Sequence, residues 1–190
     1  MTDWDGIWED LRGAKGGIPD LTLVRFVGRA GLKGKRILDI GSGTGANSYW
    51  LESQGCDVVA VDQSHACRAH WHGTAQDYFL HACSGHFDCI IDINTLCHDV
   101  DAEDVYNIAK NHLTPKGWLY IVCPTQHSDP RGLGKVIYRD VGAGKSFTRF
   151  ASEWDLRKML SGFDSVTIRE HKEPAGDHLY TSSWCVEARK

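Results

Sequence analysis

Long apolar runs are missing from these 190 residues. None approaches the roughly 20 residues that span a bilayer as a helix. The opening Met1-Thr2-Asp3-Trp4-Asp5 is acidic and lacks the basic-then-apolar pattern of a secretion signal. Seven cysteines are present, an odd number, but no C-x-x-C pair, which argues for reduced thiols in a cytosol. His70-x-His72 and Cys97-His98 lack the spacings of a structural zinc site, so no metal is expected. No internal repeat, linker or low-complexity tract interrupts the chain. Nor is there a strong excess of one charge: a net charge of −4 does not announce a nucleic-acid binder. What is there, 42% hydrophobic and 24% charged residues, is ordinary for a globular protein with one sizeable core, and too short for two ordinary domains.

The chain is organised around residues 36 to 64, RILDIGSGTGANSYWLESQGCDVVAVDQS. Ile37-Leu38-Asp39-Ile40 is too short for a helix and reads as a buried strand. Gly41-Ser42-Gly43-Thr44-Gly45 turns sharply, Ala46 to Gln54 has helical composition, and Gly55 stops it. Val58 to Val61 forms a second apolar run ending on Asp62. Strand, glycine loop, helix, strand and acid together make the unit that binds an adenosine-containing ligand. Its glycines remove Cβ clashes with the ligand, and its acid accepts from both ribose hydroxyls.

Two ligand classes use this unit. Gly41, Gly43 and Ala46 satisfy the dinucleotide pattern G-x-G-x-x-G/A, with Asp62 about 20 residues on. The same residues read as D-x-G-x-G-x-G from Asp39, which resembles motif I of the class I S-adenosylmethionine-dependent methyltransferases. A carboxylate at the strand end suits a sulfonium and an ammonium but repels a pyrophosphate, at about 1 kcal/mol or more when partly buried. The run from Gly45 through Asn47-Ser48 and Leu51 to Gly55 is similar to "G-x-N-S-x-x-L-x-x-x-G" in tellurite-resistance and thiol-methylating methyltransferases.

Elsewhere the order of elements follows the same resemblance. Trp4 and Trp8 fall on a short first helix, and Pro19-Asp20 opens a second with Leu21, Val24, Phe26, Val27 and Ala30 as its apolar face. Residues 1–35 thus read as a helical extension, a candidate lid over the acceptor site, on a single domain covering 1–190. A helix reduced to Ser64–Ala69 is expected after Asp62. Gly73 to Asp77 is similar to the family's adenine-reading segment, with Thr74 where an aspartate is usual. Phe87 to Asp92 resembles the fourth strand, and a helix over Ala102–His112 follows. Leu113 to Gly117 makes the turn into a fifth strand, Trp118–Cys123. Pro124 to Phe150 is long, polar and glycine-rich, the kind of loop that carries specificity. Gly142 to Ser146 looks like the end of a P-loop, but Arg139 stands where the first glycine belongs. Ser152 caps a last helix, Glu153–Leu160, and Phe163–His171 and Leu179–Ala188 alternate as strands of a closing hairpin. That hairpin reverses one strand. The expected fold is therefore α/β, a doubly wound Rossmann-like seven-stranded sheet of order 3-2-1-4-5-7-6 with strand 7 antiparallel.

The resemblance implies S-adenosylmethionine as cofactor. It places Asp39, Gly41, Gly43 and Gly45 along the methionine part, Asp62 at the ribose, and Ala75 and Gln76 at the adenine, with Asp77 an alternative there. Ser42, Asn47, Gln63 and Thr74 complete the cofactor shell, and Asn94 and Thr95 face the crevice where the methyl is delivered. His98 is the best-placed candidate base, beside Asp99, and His127 is second. The absence of N-P-P-Y after strand four counts against exocyclic amines of DNA bases. Bases cluster in 131–158 (Arg131, Lys135, Arg139, Lys145, Arg149, Arg157, Lys158, against Asp140, Glu153 and Asp155), either a solvated face or a loop attracting an anionic acceptor. The expected activity is methyl transfer to a small molecule, with no membrane and no nucleic acid as partner. A methyltransferase for RNA or protein and a non-catalytic cofactor-binding module remain the alternatives.

Overall fold

The computed structural model describes residues 5–6, 17–98, 101–125, 136–141, 144–149, 151–174 and 180–190, with backbone alone for 136–141, 144–149, 173–174 and 180–181. Its strands are β1 (Arg36–Ile40), β2 (Asp57–Asp62), β3 (Trp71–His72), β4 (Phe87–Ile93), β5 (Leu113–Pro124), β6 (Val136–Val141), β7 (Gly144–Arg149), β8 (Ser165–Pro174) and β9 (Tyr180–Arg189). Its helices are α1 (Leu21–Ala30), α2 (Ala46–Ser53), α3 (Ala75–His81), α4 (Ala102–Asn111) and α5 (Glu153–Met159), with a 3₁₀ turn at Leu96–His98.

The main sheet has seven strands in the order β3-β2-β1-β4-β5-β9-β8, and β6 and β7 form a separate two-stranded ribbon. Counting main-sheet strands alone, the order is 3-2-1-4-5-7-6. Strand β9 is antiparallel to both β5 and β8, whereas β1 to β5 pair in parallel, so the one reversed strand falls where expected.

Both faces of the sheet are buried, as parallel strands require. Period-two alternation sends Ile37, Val58, Cys89, Ile91, Tyr120 and Val122 to one face, under Leu23, Phe26 and Val27 of α1 and Leu51 of α2. Leu38, Ile40, Val61, Ile90, Leu119 and Ile121 go to the other, under α3, α4 and α5. Each such aliphatic side chain contributes about 1.5–3 kcal/mol of transfer free energy. Helix α1 is fixed firmly: Phe26 stacks on Tyr120 at 4.3 Å, and the Tyr120 hydroxyl donates to Thr22 Oγ1 at 2.8 Å. The second half of the 1–35 extension is therefore a layer of the core. Only the stretch before Pro19 is left as a candidate lid, and Trp4 and Trp8 lie outside the described residues.

Two expectations need correction. No helix forms over Ser64–Ala69. Backbone bonds draw that segment back onto the sheet instead, Arg68 N–H to Gly43 O (3.1 Å) and His70 N–H to Ala60 O (2.8 Å), which leaves no room for a helical turn. And Pro124–Phe150 is not all loop, because β6 and β7 pair antiparallel within it, Val136 opposite Arg149 and Tyr138 opposite Phe147. Its glycines and charges mask two short runs of β-formers, Val136-Ile137-Tyr138 and Phe147-Thr148. The P-loop-like Gly144-Lys145-Ser146 is part of this ribbon. The adjustments to β5 and α5 are of boundary only. Ser152 caps α5 in a capping box with Asp155.

Candidate active site

Three carboxylates stand at the carboxyl ends of β1, β2 and β4, each almost wholly buried: Asp39 (1% exposed), Asp62 (7%) and Asp92 (1%). Bringing them together is a consequence of topology. In a parallel sheet the carboxyl ends of neighbouring strands share one edge, and β1 lies between β2 and β4.

Asp39 projects to the α1/α2 face, where the Ser48 hydroxyl of α2 donates to Oδ2 at 2.5 Å. Burial raises its carboxyl to a pKa of about 6. The Ser48 bond opposes the shift, the charges of Asp62 and Asp92 add to it, and Arg68 opposes it. Asp62 holds two backbone donors, Gly43 N–H on Oδ2 and Ser64 N–H on Oδ1, both at 2.9 Å. It thereby ties the glycine loop to the chain leaving β2. Asp92 accepts from the N–H groups of Thr95 and Leu96, both at 3.1 Å, and from the Tyr106 hydroxyl at 2.7 Å. Those bonds set the turn that carries Thr95 and His98.

The glycine loop is shaped by protein as well as for a ligand. Gly41 has φ +70°, and a Cβ there would lie 2.1 Å from Thr95 Oγ1. A Cβ on Gly45 (φ +82°) would lie 2.7 Å from Cδ of Arg68. Both positions thus demand glycine twice over, by backbone conformation and by close approach. Arg68 crosses the loop with its guanidinium 4.1 Å above the Tyr49 ring and ion-paired to Glu52 at 2.6 Å.

The remaining residues sort as follows. Ser42 is buried, and its hydroxyl donates to Arg68 O. Asn47 Oδ1 accepts the N–H of Asp20, the N-cap of α1, at 2.9 Å. The Asn47-Ser48 pair thus acquires a physical meaning: one residue holds α1, the other Asp39. Gln63 is exposed beside Asp62. Thr74 caps α3, its Oγ1 accepting from Asp77 N–H (3.0 Å) and donating to Asp77 Oδ2 (2.8 Å). Those two side chains are engaged with each other, while Ala75 is buried and Gln76 half-buried next to them. Asn94 is exposed with φ 57°, a left-handed conformation Asn tolerates, and its N–H donates to Val122 O. Thr95 packs on Gly41, and His98 is half-buried on the 3₁₀ turn with its N–H bonded to Thr95 O. Asp99 and His127 lie outside the described residues. The sequence reading missed Ser48, Arg68 and Asp92. Ser48 was within reach, being quoted in the N-S run; Asp92 had only its place at a strand end to signal it, and Arg68 had none.

Asp39, Asp62 and Asp92 make the region acidic. That suits a ligand bearing a sulfonium and an ammonium and disfavours a pyrophosphate, so the residues present fit S-adenosylmethionine.

A model of the methyltransferase domain matches residues 15–169. Among solved structures, the chain is similar to an S-adenosylmethionine-dependent methyltransferase of Methanosarcina mazei (TM-score 0.63, 18% identity, covering 87% of this chain and 96% of that one). It is also similar to the 1,6-didemethyltoxoflavin-N1-methyltransferase of Burkholderia thailandensis, solved with its acceptor and S-adenosylhomocysteine bound (0.59, 16%, 99% and 89%). TehB of Haemophilus influenzae is a third (0.60, 17%, 89% and 61%). No curated protein matches the sequence. The family match spans most of the chain, and the sheet order agrees with it; the chain belongs to the methyltransferase domain family and has the fold of its S-adenosylmethionine-dependent enzymes.

Proposed function

We propose that this enzyme transfers the methyl group of S-adenosylmethionine to a small acceptor by in-line displacement, with residues 1–190 acting as one methyltransferase domain. The observation that carries the small-acceptor reading is the ribbon β6–β7. Its second strand packs against the 3₁₀ turn Leu96–His98, beside the end of β4. The acceptor side of the sheet edge is thus partly occupied by the chain's own ribbon, which favours a molecule that fits beneath it over a broad docking face.

The bound cofactor supplies a methyl group made electrophilic by its sulfonium. Asp39, dry and negative, favours the cationic amino-acid end, and Asp62 accepts from the ribose hydroxyls with the lone pairs its two backbone donors leave. Gln76, with the backbone of Gly73 to Ala75, reads the adenine, since Thr74 and Asp77 are engaged in the cap. Thr95 and Asn94 border the transfer point. Alignment and exclusion of water supply most of the acceleration. His98 takes a proton where the acceptor must lose one.

The 1,6-didemethyltoxoflavin bound to the Burkholderia enzyme illustrates the kind of acceptor meant. The test is a screen of labelled methyl transfer into a metabolite pool, RNA and protein side by side. Labelled small molecules, with turnover insensitive to about 200 mM salt, are expected. Label confined to RNA or protein would overturn the reading, and an RNA binder making six or more phosphate contacts would lose about a thousandfold in affinity over that salt range.

A further inference from the structure

We propose that Asp5 is a positioning residue for the cofactor's ribose, acting through Ser64 on Asp62. This rests on the reading of Asp62 as the ribose acceptor. Asp5 and Gly6 are helical and are the described part of residues 1–16. Asp5 Oδ1 accepts the Ser64 hydroxyl at 2.6 Å and the His65 N–H at 2.7 Å, joining positions 59 and 60 residues apart. These are short, charge-assisted bonds. The Asp5 carboxyl is held below its ordinary range, chiefly by the Ser64 hydroxyl.

Ser64 is itself only 1% exposed, and every polar atom of it is engaged. Its N–H donates to Asp62 Oδ1 (2.9 Å), its Oγ accepts from Ala66 N–H (3.1 Å), and its carbonyl meets His72 Nδ1 (3.0 Å). Asp62 in turn holds Gly43 N–H. Three consecutive contacts, Asp5 to Ser64, Ser64 to Asp62 and Asp62 to Gly43, therefore run from the amino-terminal segment to the glycine loop. Asp5 grips the Ser64 side chain and the His65 backbone N–H, at two successive residues, and so fixes the direction in which the Ser64 N–H meets Asp62. A carboxylate held in place loses less entropy when two ribose hydroxyls bind it. Linkage makes the effect reciprocal. Whatever factor Asp5 adds to cofactor affinity, bound cofactor returns to the docking of the amino-terminal segment.

The test uses the full chain with S-adenosylhomocysteine in a titration calorimeter, on wild type, Asp5→Ala, Asp5→Asn, Asp62→Asn and the Asp5→Ala/Asp62→Asn double variant, each checked for its fold by circular dichroism. Asp5→Ala should weaken binding about five- to tenfold. Asp5→Asn keeps an acceptor oxygen for both donors and should lose less. In the Asp62→Asn background, Asp5→Ala should change nothing further. As a second readout, the ligand should slow tryptic cleavage at Arg12 and Lys15 in the wild type, and not in Asp5→Ala. An unchanged affinity in Asp5→Ala, or the same loss with and without Asp62, would overturn the inference and leave Asp5 a structural anchor. Full affinity in Asp62→Asn would instead show that the ribose is held elsewhere, which removes the reading beneath it.

Discussion

The two halves of the sheet's carboxyl edge are built differently. On the proposed cofactor side, β1, β2 and the start of α2 are joined by bonds between buried groups, Asp39 to Ser48 and Asp62 to Gly43 and Ser64, and half-buried Thr95 packs on Gly41. On the proposed acceptor side, a ribbon outside the main sheet leans on a 3₁₀ turn. In the proposed reading, a ligand shared by a whole family permits a site whose carboxylates are held in place before it binds. An acceptor that varies between enzymes would be served by a segment outside the main sheet, which can change without disturbing the core. Substitutions on the first side should therefore change stability as well as cofactor affinity, and those on the second should move acceptor recognition alone.

The largest effect is expected at Asp62. Replacement by Ala removes the acceptor for two buried backbone donors and, in the proposed role, for two hydroxyls. Bonds to a charged group are worth about 1.5–3 kcal/mol each. S-adenosylhomocysteine affinity should fall at least about tenfold, and the melting temperature should fall with it. The second part departs from what position alone suggests, since a strand-end residue would be expected to be dispensable for folding. Loss of affinity with unchanged melting would break the link between the halves' architecture and their energetics.

Asp39 sharpens the contrast, because there the two quantities should move in opposite directions. Its folded-state pKa, raised from 3.8 to about 6 by burial, means that the ionised form is penalised in the native protein. The penalty is complete above about pH 6, shrinks as pH falls toward 4, and vanishes when both states are protonated. Asp39→Asn keeps an oxygen for the Ser48 hydroxyl and removes the charge. It should stabilise the ligand-free protein by about 1–3 kcal/mol at pH 7–8 and by nothing near pH 4, as read by denaturant unfolding across pH. Its affinity for S-adenosylmethionine should fall. In the wild type, affinity should decline as pH drops through about 6, because the cationic ligand favours the ionised carboxylate. A variant less stable at neutral pH would show that Asp39 is compensated by something other than its ligand.

How much of this was legible in the sequence follows the same division. Short apolar runs bounded by glycines predict β1, the glycine loop and β2 well, since Ile37 to Ile40 and Val58 to Val61 are too short for helices. The reversed last strand is legible too, from a turn too short to allow anything but an antiparallel return. Roles that depend on distant partners are not. Thr74 and Asn47, which the resemblance puts in the cofactor shell, have protein partners that only the fold reveals, Asp77 and the N–H of Asp20. Arg68 sits on Gly45 because the chain after β2 turns back, a tertiary event that overrides the local helical pattern of Ser64–Ala69. The ribbon was hidden by composition, its β-formers outnumbered by glycine and charge.

The smallest effect, and the sharpest test of the acceptor half, concerns the basic segment. It divides in two. Arg139, Lys145 and Arg149 lie on the ribbon strands, with Arg139 opposite Ser146 and Lys145 opposite Asp140. Arg157 and Lys158 lie on α5, where Arg157 is paired with Glu153 one turn earlier (2.9 and 2.7 Å) and Lys158 rests over Trp154. Both partners of the α5 pair are about half exposed. Such a pair contributes about 0.3–0.5 kcal/mol at most. Arg157→Ala should consequently shift stability by no more than that and leave both Michaelis constants unchanged. Charge reversal at Arg139 or Arg149 should raise the acceptor's KM severalfold, leaving that of S-adenosylmethionine alone. If instead the acceptor KM rises as much for Arg157→Ala as for the ribbon variants, and high salt erases the difference, the bases act as one diffuse field. A field of that kind steers a large polyanion, whereas a local pair of charges flanks one pocket. The outcome separates the two acceptor classes without the acceptor's structure being known in advance.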